Sequence, residues 1–507
     1  MTTDKFILTH GAALQAKYGS PGLTKIEMAV RTLIKSDAKR GISTRLLCLD
    51  RAADMAPYGG PVPATKSTGR DVKLAVDKLC AAEAPHYLML LGGPDIVPLV
   101  PLQNPAFGPN GDDDKTVPSD LPYACAAPYS TDPSRFMGPT RVVGRLPDLI
   151  GAKQPRLLIR FLNAAARAKP LPRSAYESAF SLSAEIWHQS TELSVANTFG
   201  MAAKVNTVPP SSYKWSKGQL AARMHFINCH GNDSSVDFYG QPTGVEDYPI
   251  SHHAPWINGK ITAGTVVAVE CCFGGQLWDP VDADGGVPMP IAYLQDGAWG
   301  FFGSTNTAYG PSEGNGSADL ICQYFLQQVL LGASQGRAAL EARLKFAAGK
   351  THLDPFDLKT LAQFYLLGDP SVQPVAPSSH ALAKTAAFRK AFSATKDRTV
   401  RQLRRERLER DGKHLAKSLP KLKKVTSAAA ASVSVALNAM ARETGLGNEV
   451  DRLAFQLQSA SGPKRHIHVL KGRKLLGDAG DSVVRVVALI ATEEDGQLIH
   501  VRRLHSR

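Results

Sequence analysis

The chain has 507 residues and a formal net charge of +14 at pH 7, with 59 Lys and Arg against 45 Asp and Glu. That length predicts two or more packed units, and a composition of 43% hydrophobic and 21% charged residues is ordinary for a soluble globular protein. Seven cysteines without paired spacing exclude a disulfide framework, and no run approaches the ~18 apolar residues of a membrane span.

Residues 1–22 show no charged start followed by an apolar block, so a reduced, cytoplasmic setting is expected. An apolar run, FILTHGAAL from Phe6, opens the chain. A helical stretch over 26–39 follows, then the strand-like STRLLCL. A helix is predicted over 69–84 with Leu74, Leu79 and Ala82 as its apolar face, leading into the strand HYLMLL, which stops at two glycines. Strand and helix in alternation predict a parallel sheet with helices on its faces. Residues 104–119, rich in Gly, Asp and Pro, read as a surface loop. Within it Asp112, Asp113 and Asp114 read as a solvated acidic turn, because no Glu closes a calcium loop at the right distance. Neither a metal nor a cofactor is expected. A helix over 154–168 ends the first half.

The second half, 175–374, begins with FSLSAE, a strand ending in Glu185, followed by helical 195–205 and a lead-in over 219–225. Two runs then share one grammar. MHFINCHG, 224–231, is apolar until it ends in His230 and Gly231; TVVAVECCFGG, 265–275, is β-branched and apolar until Glu270, Cys271, Cys272 and a Gly pair. The carboxyl ends of strands are where open α/β sheets bind ligands. Two neighbouring strands of this kind bring a thiol to an imidazole, which cysteine chemistry needs because the thiolate is the nucleophile. Neighbours in a strand point to opposite faces, so Cys229 and Cys271 read as buried structural thiols, with Cys271 the alternative nucleophile. AWGFFGSTNTAYGPSEG reads as a strand and a polar loop, and 319–331 as an amphipathic helix.

Apolar run and His-Gly, then apolar run and Glu-Cys-Cys, resemble the caspase-like clan of cysteine peptidases, and within it the gingipain-type family. LLGGPDIVP, SDLPYA, VVGRLP and LAQFYLLGDPSVQP, in that order, extend the resemblance over residues 1–375. It implies an α/β fold: a parallel-rich sheet flanked by helices, in two subdomains over 1–170 and 171–375. It also implies a cysteine endopeptidase in which Cys272 is the nucleophile and His230 the general acid and base. The backbone N–H groups of Gly231 and Cys272 would be the oxyanion donors. Glu185 takes the place of an acid that orients the histidine. Glu192 and Tyr309 fall near the family's primary-pocket acid and aromatic, with Glu313 the alternative acid and Glu270 a pocket-lining residue. Cleavage after Lys or Arg is expected. Gingipains are secreted, so the cytoplasmic expectation departs from the family.

Beyond Pro374 the character changes. Residues 376–387 read as a linker, and Lys384 to Lys424 carries fifteen Lys and Arg against four Asp and Glu. The segment 376–445 reads as basic and helical, with Leu403 and Leu408 on one stripe and a second helix over 427–443. The segment 446–507 reads as small and β-rich, ending in a hairpin turned at 493–496. This forms a C-terminal helical and β appendage. A solvated helix packed by its leucines is the favoured reading of the basic run; a regulatory protein partner, or less favoured a nucleic acid, would engage its charge, and an exposed basic segment is also a cleavage site for a basic-specific peptidase. The rival to an enzyme is a catalytically idle, peptidase-like scaffold whose basic tail binds nucleic acid or an acidic partner.

Overall fold

A computed structural model describes residues 3–65, 67–201, 203–376, 395–446, 449–458, 463–475 and 484–507. The expected linker over 376–387 lies, but for its first residue, outside these. The strands used below are, in chain order, β1 Lys5–Thr9, β2 Thr44–Cys48, β3 Tyr87–Leu91, β4 Val143–Leu146, β5 Ala179–Ala184, β6 Asn206–Val208, β7 Met224–Asn228, β8 Val266–Val269, β9 Gly300–Ser304, β10 Tyr309–Gly310, β11 Phe364–Gly368, β12 Lys421–Val425, β13 Val450–Gln458, β14 Arg465–Leu475, β15 Val484–Glu494 and β16 Gln497–Ser506. The helices are α1 Gly11–Lys39, α2 Gly69–Glu83, α3 Arg156–Arg167, α4 His188–Phe199, α5 Met289–Asp296, α6 Ala318–Leu330, α7 Gln335–Ala348, α8 Pro355–Gln363, α9 Thr395–Ser418 and α10 Ala431–Glu443.

Ten strands form one sheet in the order β2-β1-β3-β4-β11-β9-β8-β7-β5-β6. Every pairing is parallel except that of β9 with β11. The sheet is therefore two parallel halves meeting at one antiparallel seam, as expected for a parallel-rich α/β fold. The strand β11 comes from the second half of the sequence yet pairs with β4 of the first, so both halves share one sheet. The core strands are apolar without alternation, such as Val266 to Val269, all buried. This is the pattern of strands covered on both faces.

The helices follow local rules. Thr68 caps α2 with a capping box to Asp71. The buried stripe of α2 is Val72, Ala75, Val76 and Leu79; Leu74 and Ala82 face solvent, so the predicted face was turned about one residue. α1 starts earlier than predicted, at Gly11, and breaks at Gly19 (φ 68°) just before Pro21. There a positive φ suits glycine and the proline cannot continue the ladder.

The C-terminal strands form a second sheet, β10-β16-β15-β14-β13-β12. Its first member, β10, lies directly after β9, so this sheet grows from the rim of the first. Strand β15 alternates two apolar faces. Val486, Ala488 and Ile490 join Tyr309, Phe356 and Ala106 in one buried cluster. Val487, Leu489 and Ala491 pack on Val433, Leu437 and Ala441 of α10. Arg502 of β16 pairs with Asp354 at 2.5 Å and Asp357 at 3.1 Å. The basic α9 packs on α7. Leu415 and Leu419 are buried and Leu408 packs against the core, while Leu403 faces solvent. Arg407, Arg410 and Lys413 remain exposed. The loop expected at 112–114 is not a solvated turn: Asp112 is buried against Lys359 at 2.5 Å, and Lys359 also meets Asp114 at 2.8 Å.

Candidate active site

Register places the two proposed reacting residues together. β7 and β8 are adjacent and parallel with Ile227 opposite Val269, and His230 and Cys272 each lie three residues further on. Gly231 then touches Cys272 directly: a Cβ on it would lie 1.9 Å from the Cys272 carbonyl oxygen. The chain turns sharply after Cys272, with Phe273 at φ 54°, a conformation that non-glycine residues rarely adopt outside constrained sites.

The thiols divide as their alternation predicts. Cys229 and Cys271 belong to the apolar core. Cys272 instead presents its Sγ to the main chain of Ala308, whose N–H donates to it at 3.3 Å. Burial pushes the Cys272 thiol up to about 12.

Around His230 the ring is enclosed by Trp187, centroid to centroid 4.3 Å, and by Tyr248 at 5.0 Å. Burial is the main cause that takes the imidazole down to about 3. Its Nε2 meets Gln241 Oε1 at 2.9 Å. The amide nitrogen of Gln241 is committed elsewhere, donating to Glu246 at 2.8 Å. Gln241 therefore offers His230 an oxygen, so Nε2 carries the proton and Nδ1 keeps its lone pair. Glu185 does not touch the ring. It accepts from the Thr243 amide and hydroxyl at 2.5 and 2.8 Å, holding the loop that carries Gln241.

The cleft contains a segment of the chain itself. β10 pairs antiparallel with the end of β16, Tyr309 opposite Ser506 and Gly310 opposite His505. The Arg507 N–H donates to the Ala308 carbonyl at 3.0 Å. The Arg507 carbonyl oxygen accepts from the Cys272 N–H at 3.2 Å and the Gly231 N–H at 3.4 Å. Its guanidinium enters a pocket, donating to Asp319 Oδ1 at 3.0 Å and to the Pro311 carbonyl at 2.8 Å, with its plane 4.3 Å from the Trp187 ring centroid. Arg507 is 1% exposed. Gly310 makes room for it: a Cβ there would lie 2.2 Å from a guanidinium nitrogen.

Asp319 sits in the first turn of α6, where the helix dipole favours a negative charge, and also accepts from the Gly316 N–H at 3.2 Å. Glu270 is buried in the same place. Burial first, and the neighbouring Asp319 carboxyl second, raise its carboxyl well above the usual range. The pocket thus sets one arginine beside two carboxyl groups, with Asp319 the one its guanidinium contacts.

The other expected pocket residues lie elsewhere. Glu192 is exposed on α4 and pairs with His188 at 3.3 Å. Glu313 is exposed in the loop before α6. The Tyr309 ring packs edge-on to Phe356 of α8, at 4.7 Å, in the buried cluster that α8 shares with the second sheet. Asp319, Trp187 and Gln241 were missed from sequence. Asp319 looked like an ordinary first-turn acid of an amphipathic helix, and Gln241 lies in a loop without periodicity. Among the described residues no group of three His, Cys, Asp or Glu is placed to hold a metal, and no helix is long and apolar enough to cross a membrane.

No protein-family model matches the chain, and a search of curated proteins found no match. A solved structure described as "Structure of Protease" is similar at 13% identity and a TM-score of 0.48, covering 99% of this chain and 97% of that one.

Proposed function

We propose that the protein is a cysteine endopeptidase that cuts after arginine, with Cys272 as nucleophile and His230 as general base and acid. One observation carries this reading: two main-chain N–H groups converge on the Arg507 carbonyl oxygen beside the Cys272 sulfur while the same residue's guanidinium meets a buried carboxylate. That is how a peptide substrate would lie, its carbonyl in the oxyanion hole and its side chain in the primary pocket.

In the proposed reaction His230 Nδ1 takes the Cys272 proton, and the thiolate attacks the carbonyl carbon of the substrate arginine itself. The oxygen gains the negative charge facing the Gly231 and Cys272 N–H groups. Collapse breaks the C–N bond, and the imidazolium returns its proton to the leaving amine. Water then attacks the thioester, with His230 again accepting a proton, and the acid is released. Gln241 keeps the tautomer that leaves Nδ1 free, and Glu185 acts through the 241–243 loop as a positioning residue. Asp319 reads the guanidinium, whose Nη2 meets both Asp319 and the Pro311 carbonyl while the group lies over Trp187. Glu270 is buried beside Asp319. Glu192, Glu313 and the Tyr309 ring have no part in this reading.

A peptide library incubated with the wild type and with Cys272→Ala, and read by mass spectrometry, tests the proposal. Cleavage after Arg by the wild type alone is expected, with Cys271→Ala retaining it. Cleavage that survives in Cys272→Ala, or that falls after Asp or apolar residues and never after Arg or Lys, would overturn it.

A further inference from the structure

The end of β16 belongs to the C-terminal segment, yet it fills the space a substrate would need. The strand is held there by several independent contacts. Ser506 Oγ accepts from the Val486 N–H at 2.9 Å, and Arg485 lies 2.9 Å from His505 Nδ1. Arg507 uses its N–H, its carbonyl and its guanidinium as described above. Leu504, His505, Ser506 and Arg507 are all buried, whereas Arg503 one step earlier is exposed. The burial changes where the strand, still paired with β15 at Leu504 and His505, comes to lie along β10.

We propose that residues 505–507 are a tethered substrate mimic that closes the cleft, and that a peptide with arginine before its cut bond must displace them to reach Cys272. This rests on the peptidase reading for what the cleft does, but the occupancy itself is tested without turnover. The displaced strand would give up the edge of Tyr309 and Gly310, and the incoming peptide would take it by the same antiparallel pairing. The rest of β16 would stay in place, because its pairing with β15 and the Arg502 contacts to Asp354 and Asp357 lie outside the cleft. A strand that is inhibitory by occupancy needs no separate inhibitor domain: regulation becomes a matter of what pulls three residues out.

Two measurements test it. In the full chain, Arg507→Glu sets a carboxylate against Asp319 and Glu270 and should expel the segment. Alkylation of Cys272 by iodoacetamide, followed by peptide mapping, should then run at least about tenfold faster than in the wild type, while Arg503→Ala stays at the wild-type rate. Equal rates in wild type and a folded Arg507→Glu protein would overturn the proposal. The second measurement needs no variant. Wild-type protein is treated with a peptidyl-arginine chloromethyl ketone until Cys272 is labelled, and hydrogen exchange is followed. Amides of 505–507 should lose protection while those of 488–491 keep theirs. Full labelling with 505–507 still protected would sink the idea. Faster alkylation without any peptide cleavage would instead leave the occupancy standing and remove the peptidase reading.

Discussion

Gly231→Ala isolates the oxyanion geometry. The added methyl would lie 1.9 Å from the Cys272 carbonyl oxygen, 3.0 Å from its carbonyl carbon and 3.1 Å from Cys271 Cβ. Cys271 and Cys272 are fixed by the buried β8 and by the turn at Phe273, so the Gly231 backbone must retreat by about 1 Å to relieve contacts of this kind. Its N–H already stands 3.4 Å from the Arg507 carbonyl oxygen. A further retreat removes it as a donor. Losing one such donor costs ~10²–10³-fold in kcat. The pocket that holds the Arg507 guanidinium is built by Asp319, Trp187 and Pro311 and is not displaced, so KM should change little. The assay is steady-state hydrolysis of a fluorogenic peptide with arginine before the cut bond, with iodoacetamide labelling of Cys272 as the control for an intact thiol. A folded Gly231→Ala protein with kcat within about threefold of the wild type would refute the assignment of this N–H.

Four further outcomes are expected. In the Arg507→Glu chain, Asp319→Asn leaves the substrate guanidinium without its buried partner; breaking such a pair costs ~3–5 kcal/mol, so kcat/KM on arginine peptides should fall ~10²–10⁴-fold with Cys272 alkylation unchanged. Gly310→Val fills the guanidinium site, and cleavage after arginine should be lost while the melting temperature stays within a few degrees of the wild type. Arg502→Ala leaves Asp354 and Asp357 with Lys350 as a remaining partner, so unfolding should show a loss near the low end of ~3–5 kcal/mol by denaturant titration. The thiolate is the reactive form, so a thiol raised to about 12 makes wild-type alkylation climb well past pH 9, whereas Arg507→Glu should reach its plateau at lower pH; a wild-type midpoint at or below 9 would contradict the buried state.

Much of the frame could be read from runs of residues. The apolar run at 266–269 and the largely apolar run at 224–228 marked buried strands, and the polar residues ending them marked the sheet edge, which is why His230, Gly231 and Cys272 came out as neighbours. What failed was everything set by long-range packing. The resemblance led to Glu192, but α4 turns that residue into solvent. Asp319 lies at the start of a helix whose apolar stripe was legible, and nothing local distinguishes an acid that favours the helix dipole from one that also faces an arginine. Glu185, the carboxylate expected to orient His230, accepts from Thr243 one loop away, and an uncharged glutamine is in contact with the ring. An ionised partner there would stabilise the imidazolium; glutamine fixes the tautomer without adding charge. The acidic turn at 112–114 was misjudged because its cations, Lys359 and Lys471, come from far along the chain.

The hairpin between β15 and β16 also behaves as a ruler. Its turn is set by Asp495 at φ 48° and Gly496 at φ 83°, and from there the register runs unbroken past a bulge at Thr492 and Glu493 to Val487 opposite His505. Side chains alternate along β16, so the residue that reaches the pocket is determined by counting from the turn. One residue added within the strand would turn every later side chain to the opposite face. Two added residues would restore the faces but carry Arg507 roughly 7 Å beyond Asp319. Such insertions leave the chemistry of each residue intact and alter only distance along a strand, so they would release the cleft without removing any contact group.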